Sequence, residues 1–332
     1  MKKVKKILFL SRDPGGTNPL VALHDILSGK EGVLFEKLCN DKKLEDNLEL
    51  VILAKDYAIT SWQDFGIQPL KWQDKILDND VRAYLETLKP DWIITSTSHV
   101  DDSTEQDLWR LVEDLHIPTT AVLDSSHNVA MRFQDRDGQP VRPGDVFIPD
   151  EAARDILIAA GFSSDDLLII GDVYGDFIKN TKSHKNVEML RRQWGADKGD
   201  CLILFASDYI SEAIKAGYSY DVTEFQYLDC FIEMLENGAI GKYHKALKPP
   251  YRLMIRPHPK DTPGKYDHYM AYQSDKISIL QNSQGSSIEA VQAADVVVGM
   301  SSSLLHEAEV LGRECVRLMT IYPHYKGLQK KP

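Results

Sequence analysis

The 332-residue sequence has no C-x-x-C pair: its four cysteines, Cys39, Cys201, Cys230 and Cys315, are scattered. That spacing argues against a disulfide framework and points to reduced thiols, with Cys201, inside an apolar run, reading as a buried one. Long hydrophobic runs are also missing. After the basic Met1-Lys2-Lys3-Val4-Lys5-Lys6, the apolar stretch Ile7-Leu8-Phe9-Leu10 stops at Ser11-Arg12-Asp13. It is too short for a signal-peptide core, and no segment approaches a membrane span. The expectation is a cytoplasmic protein whose N-terminal lysines are the feature suited to peripheral contact with an anionic membrane. Positive charge is scarce: the formal net charge is -11. Broad nucleic-acid binding is therefore disfavoured, because affinity for a phosphate backbone rests on Lys and Arg displacing counterions. A local phosphate pocket stays compatible with it.

What is present is a β/α rhythm. The length suits two domains of about 150 residues each, and 43% hydrophobic with 27% charged residues is ordinary for a folded soluble chain. Short aliphatic runs predict strands at 7–11, 50–53, 91–95, 119–123, 146–149 and 167–170, with helices near 19–27, 81–88, 105–115 and 151–160. A polar stretch at 179–185 reads as an interdomain linker. The alternation restarts with strands at 201–206, 252–255, 277–280, 296–298 and 315–318 and helices near 224–236, 287–293 and 303–311. The fold class predicted is α/β: two tandem Rossmann-like domains, 1–180 and 181–332, facing across a cleft, with chemistry in the loops after the strands.

Two segments of the second half carry the strongest signal. Ala294-Asp295-Val296-Val297-Val298-Gly299-Met300-Ser301-Ser302-Ser303 reads as strand, tight turn, helix start. Hydroxyls and backbone N–H groups at such a start hold anions, helped by the helix dipole. A single serine there can equally be a plain helix cap. Glu307 falls one helical turn after Ser303, where it could accept from ribose hydroxyls or simply complement the dipole. Upstream, Arg256-Pro257-His258-Pro259 ends another strand. The two prolines brace His258, and Arg256 offers a permanent bidentate cation suited to phosphate.

Arg-Pro-His-Pro at 256–259 with Gly-Met-Ser-Ser-Ser-Leu-Leu-His-Glu-Ala at 299–308 resembles the nucleotide-binding half of GT-B glycosyltransferases. Within that superfamily it is similar to the bacterial surface-polysaccharide branch of sialyltransferases, polysialyltransferases and teichoic-acid polymerases, which carry His-Pro and Ser-Ser/Thr motifs. The usable resemblance covers roughly residues 200–320, and the first half matches only in architecture. It implies that His258, Ser301, Ser302 and Ser303 contact the donor's phosphates and Glu307 its ribose, and Arg256 is placed with them as a phosphate-binding cation by its own chemistry. It further implies a metal-independent transfer without any cofactor beyond the nucleotide-sugar donor (UDP-, CMP- or CDP-linked), to a glycan-type acceptor.

In the first half, Ser11-Arg12-Asp13-Pro14-Gly15-Gly16-Thr17-Asn18 follows the first strand. Its spacing is neither the dinucleotide nor the P-loop fingerprint, but Gly15, Gly16 and Thr17 would let a substrate approach the backbone. Asp13 is a candidate general base for deprotonating an acceptor hydroxyl, or a turn-stabilising aspartate. His127, in Asp124-Ser125-Ser126-His127-Asn128 after another strand, is the second candidate base, with Met131-Arg132-Phe133 and Arg136 nearby for acceptor recognition. Ser207 and Asp208, after the 201–206 strand, are candidate cleft residues, with Tyr209 as packing or ligand contact.

Three rivals compete. Gly299-Met300-Ser301-Ser302-Ser303 partly imitates a serine-hydrolase nucleophile elbow but lacks its closing glycine, and no Asp follows Ser301. A UDP-sugar 2-epimerase shares the tandem architecture, but those enzymes show Asp-Ser-Gly-Gly and Gln-Glu-Glu-Ala where this chain has Met300-Ser301-Ser302-Ser303 and Leu305-His306-Glu307-Ala308. A non-catalytic nucleotide-sugar-binding protein is the third. No H-E-x-x-H or cysteine cluster suggests a metal. GT-B enzymes usually finish with helices that cross back, and only 320–332 remain here for that purpose.

Overall fold

The computed structural model describes residues 4–42, 44, 47–76, 80–97, 102–125, 129–135, 137–181, 187–215, 217–245, 247–282 and 285–329, the last four as backbone only. Contacts divide the chain into Met1–Phe177 and Ile178–Pro332.

The first unit contains β1 (Lys5–Ser11), α1 (Pro14–Gly29), α2 (Val33–Lys42), β2 (Leu48–Ala54), α3 (Ala58–Asp64), β3 (Leu70–Lys71), α4 (Trp72–Lys75) and α5 (Val81–Leu88). It continues with β4 (Trp92–Thr95), α6 (Thr104–Leu115), β5 (Thr119–Val122), β6 (Asp145–Ile148), α7 (Glu151–Ala159) and β7 (Leu167–Ile169), and α8 (Val173–Asn180) straddles the division. Its sheet is parallel throughout, in the order β3-β2-β1-β4-β5-β6-β7.

The second unit contains α9 (Val187–Gln193), β8 (Cys201–Ala206), α10 (Ile210–Lys215), α11 (Glu224–Glu236), β9 (Tyr251–Arg256), β10 (Ile277–Gln281) and α12 (Ser287–Ala293). Then come β11 (Val296–Gly299), α13 (Ser303–Val310), β12 (Glu314–Arg317) and α14 (Leu318–Gln329). The sheet order is β10-β9-β8-β11-β12, again parallel. These are two Rossmann-like α/β domains, as the alternation predicts.

Both sheets are covered on both faces, so the central strands β1, β8 and β11 carry continuous apolar runs rather than alternating ones. Ile203 and Phe205 enter the core that holds α11, whereas Leu202 and Leu204 enter the one that holds α12 and α13. Ile7 and Phe9 part from Leu8 and Leu10 in the same way. Helix starts follow the caps: Thr223 with Gln226, and Ser286 with Glu289, form capping boxes that open α11 and α12. At the far end of the second sheet Arg191, on α9, donates to the Ala293 carbonyl (2.8 Å), to Asp295 (3.0 Å) and to the Asp200 carbonyl (3.0 Å). That one side chain ties α9 to the starts of both central strands.

Several expected boundaries move. The first helix begins at Pro14, not near 19, because Pro fits the first helical position and the earliest N–H groups need no partner. Gly15, Gly16 and Thr17 are thus in its first turn rather than in an open loop, and Pro19 is accommodated inside the helix. Lys179 and Asn180 end α8 instead of starting a linker. The buried Val173, Tyr174 and Ile178 give that helix an apolar face that its polar tail hides in sequence. Residues 182–185 of the expected linker lie outside the described residues. After β12 the chain forms α14, whose Tyr325 hydroxyl donates to Glu233 (3.0 Å) and accepts from Asn237 (2.8 Å) on and just after α11. None of the four cysteines is in a disulfide, and Cys230 is buried while Cys201 is only half-buried. Among the described residues no helix is long and apolar enough to cross a membrane.

Candidate functional site

In an open parallel sheet, ligands bind beyond the carboxyl ends of the strands where the strand order reverses. In the second unit that reversal lies between β8 and β11. Ala206 is in register with both Gly299 and Arg256, so Arg256 and Gly299 stand two strand spacings apart, roughly 10 Å, at one level. A Cβ at Gly299 would sit 3.0 Å from the Ala206 carbonyl oxygen. Only glycine lets β11 end so close to β8.

Beyond these ends the chain runs into Ser207-Asp208 on one side and Met300-Ser301 on the other. One oxygen of Asp208, Oδ2, accepts from both the backbone N–H and the hydroxyl of Ser301, each at 2.8 Å. Asp208 is 8% exposed. Burial pushes its carboxyl above the usual range, the Ser301 bonds pull against that, and Glu224 adds to it while Lys265 opposes. Ser302 is the N-cap of α13, accepting from the Leu304 N–H at 3.4 Å. Ser303 is the first, exposed residue of that helix. The three serines therefore do three different things. Glu307 is 1% exposed, on the buried side of α13.

On the β9 side, the Arg256 carbonyl accepts from the Ser207 N–H (3.1 Å), and its guanidinium donates to the Gly285 carbonyl (2.9 Å) ahead of α12. His258 is fixed by more than its prolines. Its N–H donates to Asp261 (2.8 Å), and its Nδ1 accepts from the Lys260 N–H (3.1 Å). A ring nitrogen that accepts carries no proton, so the neutral imidazole keeps its proton on Nε2 as a donor. Tyr209 lies beside it, ring centroids 5.6 Å apart.

Beneath these loops is a group of residues that sequence reasoning missed. The Lys265 ammonium, 3% exposed, contacts Glu212 (2.7 Å), Asp261 (2.6 Å) and Glu224. Its pKa is raised: burial works against the charge, and three carboxylate bonds more than offset it. Tyr266 contacts the Ser207 hydroxyl. Lys265 and Tyr266 thus hold the β8 loop, the start of α11 and the His258 loop as one body. Asp261 lies four residues before Lys265, whereas Glu212 and Glu224 come from separate segments and leave no local signal.

In the first unit the order reverses between β1 and β4. Gly16 packs where an added Cβ would be 2.9 Å from the Ser96 Cβ, and Gly15 where one would be 3.1 Å from Asp124 Oδ2. Ser96 donates to the fully buried Glu105 (2.8 Å). Arg132 pairs with Asp124 and donates to Thr97 (2.9 Å) and Ser125 (3.3 Å). Asp13 is the N-cap residue of α1 but makes no side-chain cap bond; Arg12 Nη1 approaches it at 3.6 Å. Thr17 donates its hydroxyl to the Asp13 carbonyl (2.8 Å). Arg12 also meets Asp56 (3.0 Å) and Asp102 (3.4 Å), and Lys55 meets Asp102 (2.7 Å). Burial alone would raise the Asp102 carboxyl, but bonds from Lys55 and Thr104 outweigh it and hold it low. Phe133 is a core residue stacked on Trp109 rather than a substrate contact. His127 and Arg136 lie outside the described residues.

No protein-family model matches the sequence, and no curated protein matches it. Solved structures do. A complex of the Staphylococcus aureus protein MnaA with UDP is 13% identical at a TM-score of 0.58, over 94% of this chain and 79% of that one. The Methanocaldococcus jannaschii UDP-GlcNAc 2-epimerase, solved with UDP-GlcNAc and UDP, is 14% identical at 0.57, over 94% and 83%. The glycotransferase of kitacinnamycin is 10% identical at 0.51, over 100% and 92%. The chain has the fold of these GT-B proteins.

Proposed function

We propose that the protein acts on a nucleotide-linked sugar, as a glycosyltransferase of surface-polysaccharide assembly. The donor's phosphates bind at the second switch point. The observation that carries this is the convergence there, at one level of the sheet, of the α13 start, Arg256 and the Nε2–H of His258, three positive or donating groups suited to an anion. They would also offset charge on the departing nucleotide, so that transfer needs no metal and persists in a chelator. Glu307 is the acceptor for ribose hydroxyls. The first unit, with Gly15, Gly16 and Thr17, serves the acceptor, and Asp13 or His127 is the base that takes its hydroxyl proton.

Titrating UDP, CDP and CMP against the protein and its His258→Ala variant tests the phosphate site. The variant should bind at least tenfold more weakly, about 1.4 kcal/mol; equal affinities would remove the phosphate role of His258. A second reading, a UDP-sugar 2-epimerase, is favoured by the likeness to the M. jannaschii enzyme and by the UDP in two of the similar structures. Incubation with UDP-GlcNAc alone separates them: an epimerase converts it to the C2 epimer, whereas a transferase needs an acceptor.

A further inference from the structure

Asp208 has no place in a plain anion site. It puts a carboxylate against Ser301, whose N–H and hydroxyl are the donors next to the helix start, and both go to its Oδ2 at 2.8 Å. A ligand phosphate drawn to that start meets this carboxylate and competes for the same donors.

The surroundings make the conflict worse. On α11, Glu224 is fully buried and faces Asp208, with Tyr227 beside it. Tyr209 follows it on its own loop, Glu212 lies on α10, and from the segment after β9 come His258, Asp261, Lys265 and Tyr266. Burial pushes both Tyr227 and Tyr266 upward, so they stay neutral. Lys265 is the buried cation of the group, and Glu212, Glu224 and Asp261 already share it. A fourth carboxylate and a phosphate add like charge directly above this buried group, where repulsion is poorly screened.

We infer that Asp208 is a charge gate on the phosphate site: it holds Ser301 as a carboxylate in the free protein and is neutralised by one proton when a nucleotide sugar binds. The balance is simple. The free carboxylate, one proton from solvent and the ligand give a complex in which Asp208 is a carboxylic acid. Its hydroxyl then donates, and Ser301 is released to the phosphate. Asp208 thereby sets how affinity varies with pH and how strongly the site discriminates by ligand charge. The inference rests on the nucleotide-sugar reading of this switch point.

Calorimetric titration of the full chain with UDP-, CDP- and CMP-linked sugars, in buffers of different ionisation enthalpy, counts the protons taken up. The phosphates of these sugars are ester-linked and do not titrate near neutrality, so uptake belongs to the protein. The wild type should take up close to one proton at alkaline pH, its affinity falling tenfold per pH unit there. Asp208→Asn, which keeps an acceptor for Ser301, should bind more tightly at alkaline pH and take up no proton. Wild-type binding without proton uptake overturns the gate, and needs no variant. Uptake that persists in Asp208→Asn also overturns it, by assigning the proton to His258 or another group. If none of these sugars binds at any pH, the nucleotide reading itself falls and the gate with it.

Discussion

The two switch points use the same pairing of cation and carboxylate at different depths. In the second unit one ammonium, Lys265, is sealed among three carboxylates at 3% exposure. In the first, two guanidiniums, Arg12 and Arg132, sit half-open among carboxylates and hydroxyls, at 14% and 13% side-chain exposure, and their partners Asp56 and Asp124 are more exposed still. A sealed network fixes loops and is slow to give up a partner. A half-open one can exchange an internal carboxylate or hydroxyl for one on a ligand, because water and solute reach it. The loops at the second switch point are therefore held rigidly, and those at the first are freer to rearrange.

Removing the sealed cation should break the contrast most severely. Lys265→Met leaves three buried carboxylates without their shared partner, and losses of about 3–5 kcal/mol are typical of that. A calorimetric or circular-dichroism melt should show the second unit unfolding earlier, with Arg12→Met much milder in the first. A loss below about 1 kcal/mol for Lys265→Met would show that its carboxylates are neutral.

The glycines sharpen the comparison at the next level. Gly299→Ala forces a Cβ to 3.0 Å from a backbone carbonyl, and Gly16→Ala to 2.9 Å from the Ser96 Cβ. Neither neighbour is the end of a flexible side chain, so each should cost about 1–3 kcal/mol in urea unfolding. Gly299→Ala should also weaken nucleotide binding by parting β8 from β11, whereas Gly16→Ala should leave it unchanged.

The smallest effect concerns acid. Asp102 is held low in the folded state, so its contribution is present above the unfolded carboxylate pKa and lost as pH falls through the lower, folded value. Asp102→Asn should flatten the acid side of the stability profile by less than about 1 kcal/mol, as for other partly exposed pairs. Asp208, whose carboxyl is raised, carries the opposite sign: its ionisation costs stability as pH rises through the folded value. Opposite slopes in Asp102→Asn and Asp208→Asn would confirm that the two switch points differ in charge economy. Parallel slopes would contradict it.

How much of this was legible follows from where partners lie along the chain. The bounds of β8, α5, α11 and α12 agree with the sequence reading, because a local cap or a short aliphatic run defines each. Helices α2, α3, α4, α8, α9, α10 and α14 do not emerge from the sequence, since each buries only a few residues on one side and its periodicity is short. At the site, Arg256, His258 and the three serines stood out because prolines, glycine and a strand end mark them locally. Lys265 did not, because Glu212 lies 53 residues from it and Glu224 comes from another segment. Asp208 was visible as a loop residue, but its bond to Ser301 spans 93 positions and only folding reveals it. The Asp124–Arg132 pair, eight apart, is close enough in sequence to be readable in principle.

Arg191 has a consequence for how this chain could have been assembled. By clasping the Ala293, Asp295 and Asp200 positions from α9, it makes the second Rossmann-like unit carry its own closing strap. Nothing in that strap borrows from the first 177 residues. A gene segment beginning just before α9 would bring a finished domain to a new neighbour.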